Sequence, residues 1–165
     1  MIVVVDTNVL VVANRRAQQA SVQCIENCIL WIKCIPREGT IALDNGWRIL
    51  KEYQDNLSSS GQPGIGDEFL RWILINRKNP SHCSLVPITP VDEQDTDFRE
   101  FPSNARLVAF DSSDRKFVAL SAAHPQHPPI LQAVDAKWWG FKDALLSNGV
   151  AVEFICEDDI RSLSS

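Results

Sequence analysis

Two aspartates in this chain directly follow short, largely apolar runs of residues. A carboxylate at the end of a buried strand can bind a metal ion or take part in catalysis. Asp6 follows residues 2–5, Ile-Val-Val-Val, and Asp135 follows residues 130–134, Ile-Leu-Gln-Ala-Val. Such runs are typical of strands buried in a parallel sheet, which binds ligands at the carboxyl ends of its strands. The pair therefore suggests a site for a divalent metal ion. For either residue alone, capping a helix or closing a turn is an equally good interpretation.

Two further acids lie at comparable positions. Glu52 lies beside the apolar face of a predicted helix, and Asp114 lies where another helix is predicted to begin. Hard cations such as Mg²⁺ or Mn²⁺ take oxygen ligands, and a group of carboxylates around one or two such ions is suited to phosphodiester hydrolysis. The alternatives are a solvated helix face for Glu52 and a helix-dipole interaction for Asp114.

The elements that must position these acids follow from the spacing of apolar residues. Alternation predicts strands, and a spacing of three and four predicts helices. The predicted strands are residues 2–5, 40–43, 84–88, 130–134 and 150–155, and the predicted helices are residues 21–33, 44–57, 67–77, 114–124 and 138–146. The acidic stretch 92–100 is either a short helix or a solvated loop. Alternating strands and helices predict an α/β fold, with a parallel sheet between layers of helices.

Size and charge narrow the class of protein. With 165 residues, the chain is expected to be a single domain over residues 1–165. Its 16 basic and 21 acidic residues give a net charge of −5, which argues against a DNA-binding module that relies on charge alone. The acidic balance is compatible with a metal-dependent nuclease, because bound cations neutralise clustered carboxylates.

Localisation and redox state are also expectations from the sequence. The chain carries no segment typical of a signal peptide or a membrane span, so we expect a soluble, cytoplasmic protein with no membrane partner. The cysteines are odd in number and form no Cys-x-x-Cys pair, which disfavours a disulfide framework and a cysteine zinc site. We expect five reduced core residues: Cys24, Cys28, Cys34, Cys83 and Cys156.

The four acids lie in segments that resemble motifs of the PIN-domain family of metal-dependent ribonucleases, which includes the VapC-like toxins. Asp6 lies in Val-Val-Val-Asp-Thr-Asn-Val-Leu, and Glu52 lies in Ile-Leu-Lys-Glu-Tyr. Asp114 begins Asp-Arg-Lys-Phe-Val-Ala-Leu-Ser-Ala-Ala, and Asp135 ends Ile-Leu-Gln-Ala-Val-Asp. The four motifs occur in the family's order and span nearly the whole chain.

The resemblance implies a three-layer α/β/α fold with a central parallel sheet and an RNA substrate. It implies that Mg²⁺ or Mn²⁺ binds to four catalytic acids at the strand ends: Asp6, Glu52, Asp114 and Asp135. Asn8 would hold the first loop by hydrogen bonding. An antitoxin-like protein partner and a homodimer are further expectations from the family.

The chain departs from the family pattern at Lys137. Family members often carry a second acid two residues after the last one, so the pocket either holds one ion less firmly or relies on Asp111. Asp111 is a candidate metal ligand, a residue that orients Asp114, or an Asx-turn residue. Asp44 raises the same question, with a helix cap favoured.

Three functions remain open from the sequence. The leading one is a metal-dependent endoribonuclease, in which Arg115 and Lys116 either contact a substrate phosphate or lie on a solvated helix face. The second is a catalytically silent PIN-like module that binds RNA or protein, which Lys137 keeps open. The third is a phosphotransfer domain with Asp6 as nucleophile. It is disfavoured because the known chemistry needs an aspartate where this chain has Asn8.

Overall fold

A five-stranded parallel sheet forms the centre of the computed structural model, which describes residues 1–164. Neighbouring strands all run parallel, in the order β3-β2-β1-β4-β5. The strands are β1 (Ile2–Val5), β2 (Thr40–Asp44), β3 (Cys83–Val86), β4 (Ile130–Gln132) and β5 (Val152–Phe154). Because the strands are parallel, their carboxyl ends all lie at one edge of the sheet.

Helices cover the sheet and confirm the predicted α/β/α sandwich. They are α1 (Thr7–Ala13), α2 (Val22–Glu38), α3 (Arg48–Asn56), α4 (Ile65–Asn76), α5 (Arg115–Ala123), α6 (Lys142–Ser147) and α7 (Glu157–Ser164). Helices α1, α2 and α4 pack against one another, and α5 packs on β1 and β2. Within residues 1–164, none of the helices combines the length and the apolar character that crossing a bilayer requires.

The position of β1 determines where ligands can bind. Its residues Val3, Val4 and Val5 are buried, as expected for a central strand covered on both faces. The strand pairs with β2 on one side and β4 on the other, so the direction of the crossovers reverses at β1. Such a reversal opens a crevice at the carboxyl ends of the two strands. Val5 pairs with Leu131, which brings Asp6 close to the loop that leads to Asp135.

Two helices were not predicted, and a third differs from its prediction. Helix α1 follows β1 directly, and its apolar side chains continue the pattern of the strand, so no helical period stands out. Helix α7 lies beyond the last predicted strand. The predicted helix at residues 138–146 is divided into a 3₁₀ helix, Ala136–Phe141, and α6. Residues 92–100 contain no helix, which settles that alternative in favour of a loop.

The expectation that all five cysteines are reduced is wrong. Cys24 in α2 and Cys156, directly before α7, form a disulfide with their Cα atoms 5.1 Å apart. They are separated by 132 residues in sequence, so only the fold brings them together. Cys28, Cys34 and Cys83 carry free thiols, and burial raises the pKa of the Cys28 thiol to about 12.

Candidate metal centre

Asp6 lies at the junction between β1 and α1 and is only 4% exposed. Its Oδ2 accepts a hydrogen bond from the backbone N–H of Asn8 at 2.9 Å, so the carboxylate caps α1. Burial raises the pKa of Asp6 well above its usual value, and the nearby charges of Asp114, Glu52 and Asp135 raise it further. The cap and the metal site predicted for Asp6 are therefore compatible, because three other acids lie close enough to act on its charge.

Asp114 lies directly before α5 and is 9% exposed. Its Oδ2 is buried and has no hydrogen-bond partner, which is uncommon for a buried carboxylate oxygen. Burial is the main cause that raises the Asp114 pKa to about 6, with Asp135, Asp111 and Glu52 raising it and Lys137 opposing the shift. Asp114 is thus a buried acid whose Oδ2 accepts no hydrogen bond within residues 1–164 and lies 3.7 Å from the Lys137 ammonium.

Glu52 is held in place from three sides. Its Oε2 accepts a hydrogen bond from the Thr7 hydroxyl, and its Oε1 lies 2.6 Å from the Lys116 ammonium. The neighbouring Tyr53 is buried and donates its hydroxyl to the carbonyl of Val5, which anchors α3 to β1. Glu52 therefore faces the junction of β1 and α1 and does not lie on the solvated helix face that was its alternative.

Asp135 is positioned by the loop that follows β4. Gln132 is buried, and its Oε1 accepts the backbone N–H groups of Ala133 at 2.8 Å and Asp135 at 3.1 Å. Asn8 Oδ1 accepts the backbone N–H of Val134 at 2.8 Å. Asn8 thus joins the beginning of α1 to this loop and holds the Asp6 and Asp135 segments side by side.

Lys137 places a positive charge among the acids. Its Nζ lies 2.7 Å from Asp111 Oδ2, 3.7 Å from Asp114 Oδ2 and 3.8 Å from Asp135 Oδ2. The hydrogen bond to Asp111 is the main cause that raises the pKa of Lys137, so the ammonium stays charged at neutral pH. The side chain is 56% exposed, so it approaches the acids from the solvent side.

Asp111 takes part in the turn before α5 and in the ion pair with Lys137. Its Oδ1 accepts the N–H of Ser113 at 2.9 Å and the Ser113 hydroxyl at 2.7 Å. These contacts and Lys137 hold the pKa of Asp111 well below its usual range. In this structure both of its oxygens have partners, so Asp111 could bind a metal only after releasing one of them.

Asp44 ends β2 at the same edge of the sheet but has a different role. It is fully buried, and its oxygens accept the N–H groups of Arg48 and Ile49, each at 3.0 Å. These are the first two residues of α3. The preferred interpretation of Asp44 as a helix cap is confirmed.

Arg115 and Lys116, the two residues that could contact a substrate phosphate, are both paired with acids of the chain itself. Arg115 pairs with Asp97 at 3.1 Å, lies 4.4 Å from the centre of the Phe101 ring and donates to the carbonyls of Val108 and Phe110. It therefore holds the loop before α5. Lys116 is paired with Glu52 and is only 15% exposed, so neither residue lies on a solvated helix face.

A pocket of about 260 Å³ opens beside Glu52. Its basic residues are Arg48, Lys51 and Lys116, and each of them forms an ion pair with an acid. A substrate phosphate would have to compete with those acids, so the pocket is not a preformed anion site.

The donor set fits a hard cation in chemical type. The features that suit such an ion are the oxygen ligands, their burial, and the Oδ2 of Asp114, which accepts no hydrogen bond within residues 1–164. The acids do not form a closed ligand shell, however. Within residues 1–164, the only three His, Cys, Asp or Glu side chains whose ligand atoms all lie within 4.8 Å of one another are Cys24, Cys28 and Cys156. An ion bound directly by three of these acids would therefore require their carboxylates to move closer together.

Sequence reasoning missed Thr7 and Gln132, which position Glu52 and Asp135. Gln132 carried a signal, because a polar residue inside an otherwise apolar strand needs a buried partner. The signal for Thr7 was weaker, since a threonine next to an acid at a strand end can donate to many different acceptors.

Comparison of the chain with protein-family models, with curated proteins and with solved structures finds no significant match. No relative found in this way assigns a function to the four acids.

Proposed function

We propose that this protein is an endoribonuclease that depends on Mg²⁺ or Mn²⁺. The observation that carries the proposal is the convergence of Asp6, Glu52, Asp114 and Asp135 at the crevice where the crossovers reverse. Two of these acids, Asp6 and Asp114, are buried, and burial together with the neighbouring carboxylates raises the pKa of both. Clustered carboxylates destabilise a fold unless cations neutralise them, so a site of this kind favours a divalent ion.

The chain's own residues would hold the ion and fix the geometry. Asp6, Asp114 and Asp135 would supply carboxylate oxygens, and Glu52 would join them from α3. A bound Mg²⁺ or Mn²⁺ supplies Lewis-acid polarisation of a phosphodiester and lowers the pKa of an attacking water. Asn8 holds the loop that carries Asp135, because its Oδ1 accepts the hydrogen bond from the backbone N–H of Val134.

Other parts of the proposal depend on the resemblance to the PIN-domain family. RNA as the substrate, an antitoxin-like protein partner, a homodimer and a cytoplasmic location all come from it. The disulfide between Cys24 and Cys156 argues against the cytoplasmic location, because disulfides are uncommon in reducing compartments.

A cleavage assay with matched variants tests the proposal. Single-stranded RNA of mixed sequence is incubated with the protein and Mn²⁺, Mg²⁺ or a chelator. We expect cleavage with either metal and none with the chelator. Asp6→Asn and Asp135→Asn should each reduce the rate by about a hundredfold or more, because they remove carboxylates that would hold the ion, and even outer residues of metal sites are worth 10 to 100-fold.

Asp44→Asn is the matched control. Asp44 ends a strand at the same edge, but its oxygens cap α3, and asparagine can still accept a hydrogen bond there. This variant should cleave like the wild type. The catalytic assignment would be refuted if Asp6→Asn and Asp135→Asn cleaved RNA as fast as the wild type and Asp44→Asn do.

Metal binding is measured separately by thermal unfolding. At a metal concentration one hundred times the Kd, mass action stabilises the native state by about 2.7 kcal/mol. For a chain of this size that corresponds to a rise in the thermal midpoint of about 5 to 10 °C. No shift with either metal, and no heat of binding, would exclude the site.

A catalytically silent binding module is the second candidate, and Lys137 is the observation that favours it. The ammonium already neutralises part of the charge of Asp111, Asp114 and Asp135. In that case RNA would bind without being cut. Adding Mn²⁺ would then leave the thermal midpoint of the protein unchanged and the RNA at its full length.

A further inference from the structure

Three cysteine sulfurs converge on the side of the molecule where α2 meets α7. Cys24 and Cys28 are four residues apart in α2, so they lie on one face of that helix. Cys156 directly precedes α7 and is bonded to Cys24. The free thiol of Cys28 lies 3.9 Å from the Cys156 sulfur, and all three residues are buried.

The disulfide accounts for two of the three sulfurs and leaves Cys28 without a role. A buried free cysteine is often only a small core residue. Here, however, Cys28 belongs to the only group within residues 1–164 whose three candidate ligand atoms all lie within 4.8 Å of one another. A free thiol in contact with a disulfide sulfur is a more specific arrangement than a core cysteine requires.

The spacing of the sulfurs fits a tetrahedral metal ion. Zinc binds thiolate sulfur at about 2.3 Å, so two sulfurs of a tetrahedral site lie about 3.8 Å apart. Cys28 and Cys156 already have that separation. Once the bond between Cys24 and Cys156 is broken, those two sulfurs are free to move apart to the same distance.

A pocket beside two of the sulfurs gives access to the cluster. A pocket of about 230 Å³ is lined by Cys24, Cys156 and Asp159, among others. Asp159 accepts hydrogen bonds from the N–H and hydroxyl of Ser21 at 2.7 and 2.9 Å, which places its carboxylate beside the beginning of α2. Both oxygens of Asp159 are thus occupied, so a water from the pocket would fill the fourth position of a zinc ion.

We propose that Cys24, Cys28 and Cys156 form a zinc site that becomes available when the disulfide is reduced. A dithiol reductant donates two electrons and two protons, so the Cys24–Cys156 bond breaks, two S–H groups form and the reductant becomes a disulfide. Zn²⁺ then displaces the protons of the three thiols, which pass to solvent, and three Zn–S bonds form. The chain thus holds α7 against α2 by a covalent bond when oxidised and by the ion when reduced.

The test uses the full chain in two redox states. Protein reduced with a dithiol, and freed of it without oxygen, is titrated with Co²⁺ and then with Zn²⁺. We expect uptake of one ion per chain, with the charge-transfer absorption of Co²⁺ bound to thiolates and its loss when Zn²⁺ is added. The oxidised protein should show no such absorption. That signal distinguishes this site from the acidic one, which offers only oxygen.

Two serine variants make the test specific. Cys28→Ser keeps the disulfide pair but removes one ligand, and it should weaken binding by more than a hundredfold, since even outer residues of metal sites are worth 10 to 100-fold. Cys34→Ser is the control, because Cys34 lies in the same helix but outside the cluster. It should bind like the wild type.

Either of two results would overturn the proposal. The first is reduced wild-type protein that shows no thiolate absorption with Co²⁺, a measurement that does not depend on any variant folding. The second is Cys28→Ser that binds as tightly as the wild type. In both cases the Mg²⁺ or Mn²⁺ dependence of RNA cleavage is unaffected, so failure here leaves the proposed nuclease function standing.

Discussion

Replacing Lys137 by methionine should have opposite effects on the protein without metal and on its affinity for metal. Lys137→Met keeps a long side chain but removes the charge that lies within 4 Å of three carboxylates. Asp111, Asp114 and Asp135 would then repel one another without compensation. We therefore expect the metal-free variant to be less stable and to bind Mn²⁺ more tightly, because the ion no longer competes with an ammonium.

The magnitude follows from the distances. Opposite charges about 4 Å apart interact by about 1 kcal/mol in water and by about 4 kcal/mol near a protein surface. The Lys137 side chain is 56% exposed, so the lower value applies, and three such contacts less the cost of ordering the side chain leave about 2 kcal/mol. That loss lowers the thermal midpoint by about 4 to 8 °C. The same free energy, returned on metal binding, corresponds to about a thirtyfold lower Kd.

Thermal unfolding without metal and calorimetric titration with Mn²⁺ measure the two effects. Lys142→Met is the control, because it changes the net charge equally while Lys142 pairs only with Asp143 at 3.6 Å and lies over the Trp139 ring. It should stay within about 0.5 kcal/mol of the wild type. The reasoning fails if the two variants behave alike, or if Lys137→Met leaves both the midpoint and the Kd unchanged.

Two further predictions concern other aspartates. The pKa of Asp114, about 6 in the fold, exceeds its unfolded value, so the folded chain holds that proton more tightly and loses stability as pH rises from about 4 to 6. Asp114→Asn should therefore be more stable than the wild type at pH 7, by about 3 kcal/mol without metal, and this difference should vanish below pH 4 in thermal unfolding. Asp44→Ala should lose about 1 to 2 kcal/mol in denaturant unfolding, because two N–H groups of α3 lose their acceptor, while its Kd for Mn²⁺ stays that of the wild type.

The sequence was informative where the pattern is local. Asp6 follows a run of β-branched residues, and that run alone predicts a buried strand and an acid at its carboxyl end. The cap at Asp44 is equally local, since the residues that it caps lie four and five positions further along the chain. The alternation of strands and helices predicted the parallel sheet, although not the order of its strands.

What the sequence did not predict depends on distances between separated segments. Lys137 could be interpreted only as a missing acid, because its contact with Asp111 joins positions 26 residues apart. The disulfide between Cys24 and Cys156 joins positions 132 residues apart, and no spacing rule covers such a pair. Helix α1 was hidden for a different reason, since its apolar residues extend the pattern of β1 and only the cap by Asp6 marks its beginning.

The central place of β1 also has a consequence for the order in which the protein forms during synthesis. Of the five strands β1 is made first, and β2 can pair with it, and β3 with β2, once Val86 has emerged. Its other edge stays open until Ile130–Gln132 is synthesised. A nascent chain that ends near residue 100 therefore carries Asp6 and Glu52 but lacks Asp114 and Asp135. The cluster of four acids can assemble only after Asp135 has been synthesised.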